Sequence, residues 1–276
     1  MATGGATGGA MRRTARGLAL SCHPGPTVAV TVLTALLAMS AGHPLGRGVL
    51  VTAAVLAGQL SIGWSNDLVD ARRDRAVGRT DKPLASGEIS DRTIRFACGA
   101  ALFACVVLSL ACGWASGLVH LTLGVASGWA YNLWLKRTAF SPLPYAVAFG
   151  ALPAVVSLAL PTPVWPPPWM VVTGALLGVG AHLLNALPDL ADDEATGVRG
   201  LPHRLGAPVV RWLAPAVLLA GSVVAAYGPG PDAVGLGLLA ASVALAVVAV
   251  VGRGRLPFVA AVLIALANVV SLVVRS

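Results

Sequence analysis

The feature that most constrains the fold of this chain is a series of long apolar stretches with no charged residue inside them. Apolar residues make up 57% of its 276 residues and charged residues only 11%, which is too few charges to cover a soluble protein. A membrane-spanning helix needs about 20 mostly apolar residues. Stretches of this kind occur at residues 25–42, 48–66, 93–112, 115–135, 143–160, 169–188, 208–228, 233–251 and 256–274. The sequence therefore predicts an all-α integral membrane protein with nine transmembrane helices.

The basic residues fall almost entirely on one side of these predicted spans. With the N-terminus on the cytoplasmic side, every Lys and Arg except Arg47 and Arg275 lies in a cytoplasmic loop or at an adjoining helix end. Because cytoplasmic loops of membrane proteins are enriched in Lys and Arg, we expect a multi-pass cell-membrane protein with a cytoplasmic N-terminus and an external C-terminus. The same placement accounts for the net charge of +8 without a nucleic-acid partner.

The first 20 residues differ in composition from the rest of the chain. They are mainly Gly, Ala and Thr, followed by Arg12, Arg13 and Arg16, which predicts a disordered cytoplasmic N-terminus. Residues 21–276 then form one transmembrane domain. A cleaved signal peptide that starts at Arg12 is the alternative, although its apolar run is long for such a peptide and its removal would leave eight spans.

The acidic residues are segregated even more strongly. All of them except Asp232 lie in two predicted cytoplasmic segments, 66–91 and 185–206. The two segments match at an offset of 119 residues, which indicates a parallel repeat of about four helices followed by one further helix. The matched pairs are Asn66 and Asn185, Leu68 and Leu187, Asp70 and Asp189, Asp74 and Asp193, Gly78 and Gly197, Pro83 and Pro202, and Gly87 and Gly206.

The spacing within these segments is typical of a cation site. Asn66, Asp70 and Asp74 recur every four residues, so they share one face if the second span continues as a helix. Carboxylates this close repel one another unless a cation neutralises them, and oxygen-only ligands suit Mg²⁺. The predicted ligands are Asn66, Asp70, Asp74, Asp189 and Asp193, with Asp67 and Asn185 as second choices. Solvated loop acids paired with neighbouring arginines are the simpler alternative.

Several of these residues lie in recognisable motifs. Residues 65–74, Ser-Asn-Asp-Leu-Val-Asp-Ala-Arg-Arg-Asp, resemble the first aspartate-rich motif of the UbiA superfamily of intramembrane prenyltransferases, and residues 185–193 resemble the second. Residues 131–137 are similar to the Tyr-x-x-x-x-Lys motif of that family, and residues 82–87 fit the segment after its first motif. With nine predicted spans, the resemblance covers nearly the whole chain and implies the UbiA-like fold.

The resemblance implies an activity and a role for each motif. It implies Mg²⁺-dependent transfer of an isoprenyl group from an allylic diphosphate to a lipophilic acceptor of aromatic, quinone-precursor or lipid type, with release of pyrophosphate. Both aspartate motifs would hold the metal, and Tyr131 would orient the diphosphate or shield the allylic cation. Lys136 is the best candidate for a diphosphate ligand, followed by Lys82, Arg73 and Arg204.

Three alternative functions stay open. A membrane terpene cyclase of the same superfamily would use the diphosphate without an acceptor. A CDP-alcohol phosphotransferase also clusters aspartates, but Ala71 stands where its motif has Gly. A cation transporter typically holds its ion near the bilayer midplane, whereas both acidic segments follow the ends of predicted spans.

Two further features have simple explanations. Cys98, Cys105 and Cys112 recur every seven residues in one predicted span, and we expect them to be buried small side chains. His182 lies one turn before Asn185, where it either lines the cavity or is a packed, hydrogen-bonded side chain.

Overall fold

The computed structural model describes residues 4–80, 82–188, 190 and 197–276, and these residues form helices joined by turns. A π-helical turn spans His120–Val125, and a 3₁₀ turn spans Leu135–Arg137. The helices are α1 Gly4–Ser21, α2 Pro24–Ser40, α3 Leu45–Ala76, α4 Asp91–Ala111, α5 Trp114–Val119, α6 Ala126–Leu133, α7 Leu143–Ser157, α8 Pro168–Ala186, α9 Leu201–Tyr227, α10 Ala233–Val251 and α11 Leu256–Val274.

Proline and short polar side chains mark where many of these helices begin. Ser90 accepts a hydrogen bond from the Thr93 amide at the start of α4, and Asp232 accepts one from the Gly235 amide at the start of α10. Such caps satisfy amides that have no partner within the helix. A proline in the first turn has no amide to satisfy, so it is well suited to this position. First-turn prolines are Pro24, Pro144, Pro168, Pro202 and Pro257.

Each predicted apolar stretch contains helix, but not every helix can cross a bilayer alone. Over the described residues, six helices are long and apolar enough, namely α3, α4, α8, α9, α10 and α11. Residues Met11–Ser21 and Pro24–Ser40 add a seventh span if they count as one span bent by 71°. Helix α7 has only 15 residues, and the π-helical turn interrupts the stretch predicted at 115–135. The structure therefore supports six or seven spans, and nine stays a prediction.

The N-terminal segment differs from the predicted disorder because it is helical from Gly4 onward. Its last turns pack on the same end of α3 that carries the first acidic motif. Leu18 contacts the apolar cluster around Trp64, and the Trp64 indole donates a hydrogen bond to the Leu18 carbonyl at 2.9 Å. Gly17 lies directly against Ile89. Composition alone does not reveal this close approach of α1 to Ile89.

One apolar core joins most of the long helices. Its fully buried members include Leu37 of α2, Val55 of α3, Leu183 of α8, Leu218 of α9 and Ile264 of α11. All four cysteines are buried free thiols, which confirms the prediction that Cys98, Cys105 and Cys112 are buried small side chains. The core thus fixes α3 and α8, the two helices that lead into the acidic segments.

The two acidic segments turn alike at two pairs of matched glycines. Gly78 and Gly197 have φ angles of +70° and +80°, and Gly87 and Gly206 have φ angles of +79° and +78°. Such positive φ angles strain other L-residues but not glycine. Gly206 interrupts α9 and sets a kink two residues before Pro208. The matched glycines therefore adopt similar φ angles in both segments.

Candidate active site

The last turns of α3 carry the first acidic motif. Helix α3 continues past the predicted span to Ala76, as the spacing of Asn66, Asp70 and Asp74 requires for a common face. Asp67, Asp70 and Asp74 are buried, with at most 4% of each residue exposed, and Asn66 is half-buried. Because burial of a carboxylate is costly unless it is paired, these residues are not solvated loop acids, and their partners define the site.

Lys136 is the partner of Asp70. Its ammonium lies 2.6 Å from Asp70 Oδ1 and 3.4 Å from Asn66 Oδ1, so two oxygens from successive turns of α3 converge on one cation. Lys136 lies in the 3₁₀ turn Leu135–Arg137 and is 5% exposed. Burial lowers the pKa of the Lys136 ammonium, and the adjacent Asp70 carboxylate offsets part of that effect.

Arg73 connects Asp70 with Asp74. Its guanidinium lies 3.3 Å from Asp70 Oδ2 and 3.7 Å from Asp74 Oδ1. Asp70 thus contacts a cation with each of its two oxygens. Of the predicted diphosphate ligands, Lys136 and Arg73 are already gathered at this carboxylate.

Asp67 faces a different set of partners, as expected from its place on the helix. Its Oδ1 lies 2.7 Å from Lys82 Nζ and 3.1 Å from His23 Nε2. Its Oδ2 is buried with no hydrogen-bond partner among the described residues. His23 Nε2 is also 3.1 Å from Asn66 Nδ2, so Asn66 joins the Asp67 group to the Asp70 group.

His23 is a site residue that the motifs do not contain. It stands at the break between α1 and α2 with φ 55° and ψ 69°, a left-handed conformation that is uncommon outside glycine. The signal in the sequence is faint: a polar residue directly before Pro24, at the start of the first apolar stretch. Its contact with Asp67 depends on the bend, which the sequence does not reveal.

The second acidic segment is only partly described. Asn185 is exposed on the last turn of α8, and Asp189 and Asp193 lie outside the described residues. In the part of the chain that the structure describes, no three His, Cys, Asp or Glu side chains come together as a metal-binding group. Arg204 is exposed on α9 and donates from Nε to the Arg199 carbonyl, outside the described hydrogen bonds of the first motif.

An aromatic cluster lies between α6, α7 and α8. The ring of Tyr131 packs edge-on against Tyr145 at a centroid distance of 5.2 Å and against His182 at 5.7 Å. Tyr145 and His182 are 4.8 Å apart, and Phe149 stacks on Tyr145 at 6.4 Å. Tyr131 belongs to the same motif as Lys136, five residues before it. Aromatic faces attract positive charge, so this cluster is suited to stabilise a cation.

Comparison with known proteins identifies the family. The profile of the UbiA prenyltransferase family matches residues 27–272. The bacteriochlorophyll synthase 33 kDa chain of Cereibacter sphaeroides is 34% identical over 189 residues, which cover 62% of this chain and 59% of that protein's length.

Solved structures share the fold at low sequence identity. A UbiA homolog from Aeropyrum pernix K1 superposes with a TM-score of 0.72 at 18% identity, covering 91% of this chain and 98% of that one. A UbiA homolog from Archaeoglobus fulgidus bound to GPP and Mg²⁺ superposes with a TM-score of 0.68 at 17% identity, covering 93% of this chain and 99% of that one. A digeranylgeranylglyceryl phosphate synthase superposes with a TM-score of 0.70 at 15% identity, covering 95% of this chain and 98% of that one. On the profile match and the fold, the chain belongs to the UbiA prenyltransferase family.

Proposed function

We propose that this protein transfers an isoprenyl group from an allylic diphosphate to a lipophilic acceptor within the membrane and releases pyrophosphate. The observation that carries the proposal is the convergence of Asn66 and Asp70 oxygens on the buried ammonium of Lys136, which follows Tyr131 of the aromatic cluster by five residues. One short segment therefore carries both a cation suited to bind a diphosphate and an aromatic ring suited to stabilise an allylic cation.

The donor atoms of the first motif fit Mg²⁺. The side-chain oxygens of Asn66 and Asp70 already share one positive charge, the Lys136 ammonium. Asp67 Oδ2 is a buried acceptor without a partner among the described residues. When bound, Mg²⁺ would supply positive charge that stabilises the leaving diphosphate. We propose Asn66, Asp67, Asp70, Asp74, Asn185, Asp189 and Asp193 as its ligands.

Basic side chains complete the diphosphate site in this proposal. Lys136 and Arg73 contact Asp70, and Lys82 contacts Asp67, so each can move from a carboxylate to an incoming phosphate oxygen. Arg204 would approach from the second segment. Tyr131 would shield the allylic cation from water and keep it near the acceptor.

The membrane arrangement follows from the same reasoning. We propose nine spans, arranged as two parallel repeats of four helices followed by one further helix. Both acidic segments and the N-terminus would lie in the cytoplasm, and the C-terminus would lie outside. The loop charges support this orientation, and the matched glycine conformations support the repeat. The donor's isoprenoid tail would then run from the cytoplasmic surface into the bilayer.

The test is to incubate the detergent-purified protein with Mg²⁺ and allylic diphosphates of increasing length, first alone and then with candidate acceptors. The acceptors would include aromatic acids, quinone precursors, lipid alcohols and, because of the bacteriochlorophyll synthase relative, a tetrapyrrole acid. Pyrophosphate release that needs both Mg²⁺ and an acceptor is the expected result. Release without an acceptor would favour the cyclase, and no release with any donor would contradict the proposal.

A further inference from the structure

Ser141 lies where three parts of the protein meet. Its hydroxyl oxygen is fully buried, accepts a hydrogen bond from the Leu201 amide at 2.9 Å and lies 3.1 Å from His182 Nε2. His182 is on the last turns of α8, and Leu201 begins α9. One hydroxyl group therefore contacts both ends of the segment that carries the second acidic motif.

The backbone of Ser141 is also tied to the turn that carries Lys136. The Ser141 amide donates to the Thr138 carbonyl at 3.2 Å, directly after the 3₁₀ turn. A Cβ atom on Gly200 would lie 2.7 Å from the Lys136 carbonyl oxygen and 2.8 Å from Ser141 Oγ, so only glycine allows this approach. We call Ser141, His182, Gly200 and Leu201 the Ser141 junction.

The hydrogen-bonding groups of the junction are only partly paired. Ser141 Oγ accepts from the Leu201 amide, and the hydroxyl group shares a further hydrogen bond with His182 Nε2, in which either group can donate. His182 Nδ1 is buried without a hydrogen-bond partner among the described residues. An unpaired buried polar atom is unfavourable, so an apolar side chain would pack better here unless the bond to Ser141 has a use.

We propose that the Ser141 junction positions the second acidic motif relative to Lys136, and thereby sets the affinity of the diphosphate site for its divalent cation. This inference rests on the proposed function. Ser141 and His182 are positioning residues that act through the turn of Lys136 and the ends of the segment between α8 and α9. Lys136 in turn contacts Asp70, so the junction lies between the first acidic motif and the two ends of the segment that carries the second.

The test measures Mn²⁺ binding by electron paramagnetic resonance in the purified full-length protein with inorganic pyrophosphate. Ser141→Ala and His182→Leu should each weaken Mn²⁺ binding about tenfold, with thermal unfolding temperatures close to that of the wild type. The double variant should bind about as weakly as Ser141→Ala alone, because Ser141→Ala already removes the hydrogen bond that His182→Leu removes. His182→Gln, which keeps a hydrogen-bonding group near Ser141, should restore most of the affinity.

Ser116→Ala is the matched control. Ser116 is also buried, and its hydroxyl group donates to the Val155 carbonyl at 2.7 Å, so the variant loses one buried hydrogen bond elsewhere and should bind Mn²⁺ normally. Wild-type affinity in Ser141→Ala and His182→Leu would overturn the inference. A loss of Mn²⁺ affinity that occurs only in Ser141→Ala, together with a large fall in the unfolding temperature of that variant, would also overturn the inference. No Mn²⁺ binding by the wild type would instead overturn the proposed function, and the inference with it.

Discussion

Close packing between α7 and α8 leads to a prediction that links packing to the site. A Cβ atom at Gly178 would lie 2.3 Å from the Tyr145 carbonyl oxygen and 2.9 Å from Phe149 Cβ. Carbon and oxygen atoms in contact normally stay roughly 3.3 Å apart, so Gly178→Ala must separate the two helices by about 1 Å. Small residues allow such close helix contacts in membranes. The displaced residue, Tyr145, is a member of the aromatic cluster.

We expect Gly178→Ala to lose about 1–3 kcal/mol of stability through overpacking. We expect it to lose up to about 10²-fold in prenyl transfer, because a shift of 1 Å at a reacting centre has effects of that size. Gly99→Ala is the matched control: Gly99 also lies in a long apolar helix, α4, but a Cβ atom there would meet no neighbouring group within 4 Å. Thermal unfolding in detergent and pyrophosphate release measure the two effects. If Gly178→Ala matches Gly99→Ala in both, the helix contact does not hold the cluster in place.

Three other variants test separate parts of the site. Asp70→Asn should reduce turnover at least about 10³-fold. It should also lower the unfolding temperature, because it removes the charge that neutralises buried Lys136. Full activity of this variant would exclude Asp70 as a metal ligand. His23→Gly, which keeps the left-handed backbone accessible, should reduce turnover about tenfold with little change in stability, and wild-type kinetics would show that the contact with Asp67 is incidental. Cys105→Ala should keep its activity, and a large loss in an activity assay would reveal a role for this thiol beyond packing.

The sequence predicts the parts of this protein that depend on local order and composition. The apolar stretches locate the helices, and the spacing of Asn66, Asp70 and Asp74 predicts their common face. Contacts between distant segments are beyond such reasoning. His23 reaches Asp67 only because the chain bends by 71° between α1 and α2. The sequence predicts Asp70 as a metal ligand on a helix face, and its burial against Lys136 becomes evident only in the folded chain.

Charge balance at the first motif leads to a further prediction. The carboxylates of Asp67, Asp70 and Asp74 are matched by Lys82, Lys136 and Arg73, so the motif is already neutralised without a metal. The Lys136 ammonium also occupies the point where Asn66 and Asp70 oxygens converge. A divalent cation that uses these oxygens must therefore displace the ammonium, and a bound diphosphate would give that ammonium a new partner.

Lys136→Gln should therefore have opposite effects on the two ligands. Two like charges about 4 Å apart repel by several kcal/mol at an effective dielectric constant near 20, so removal of the ammonium should strengthen Mn²⁺ binding without pyrophosphate about tenfold or more. The same change removes a phosphate partner and should weaken pyrophosphate binding. Mn²⁺ titrations followed by electron paramagnetic resonance, with and without pyrophosphate, separate the two effects. Arg137→Gln is the control, because Arg137 is the exposed neighbour in the same turn. Unchanged or weaker Mn²⁺ binding by Lys136→Gln without pyrophosphate would mean that the metal does not compete with this lysine for Asn66 and Asp70.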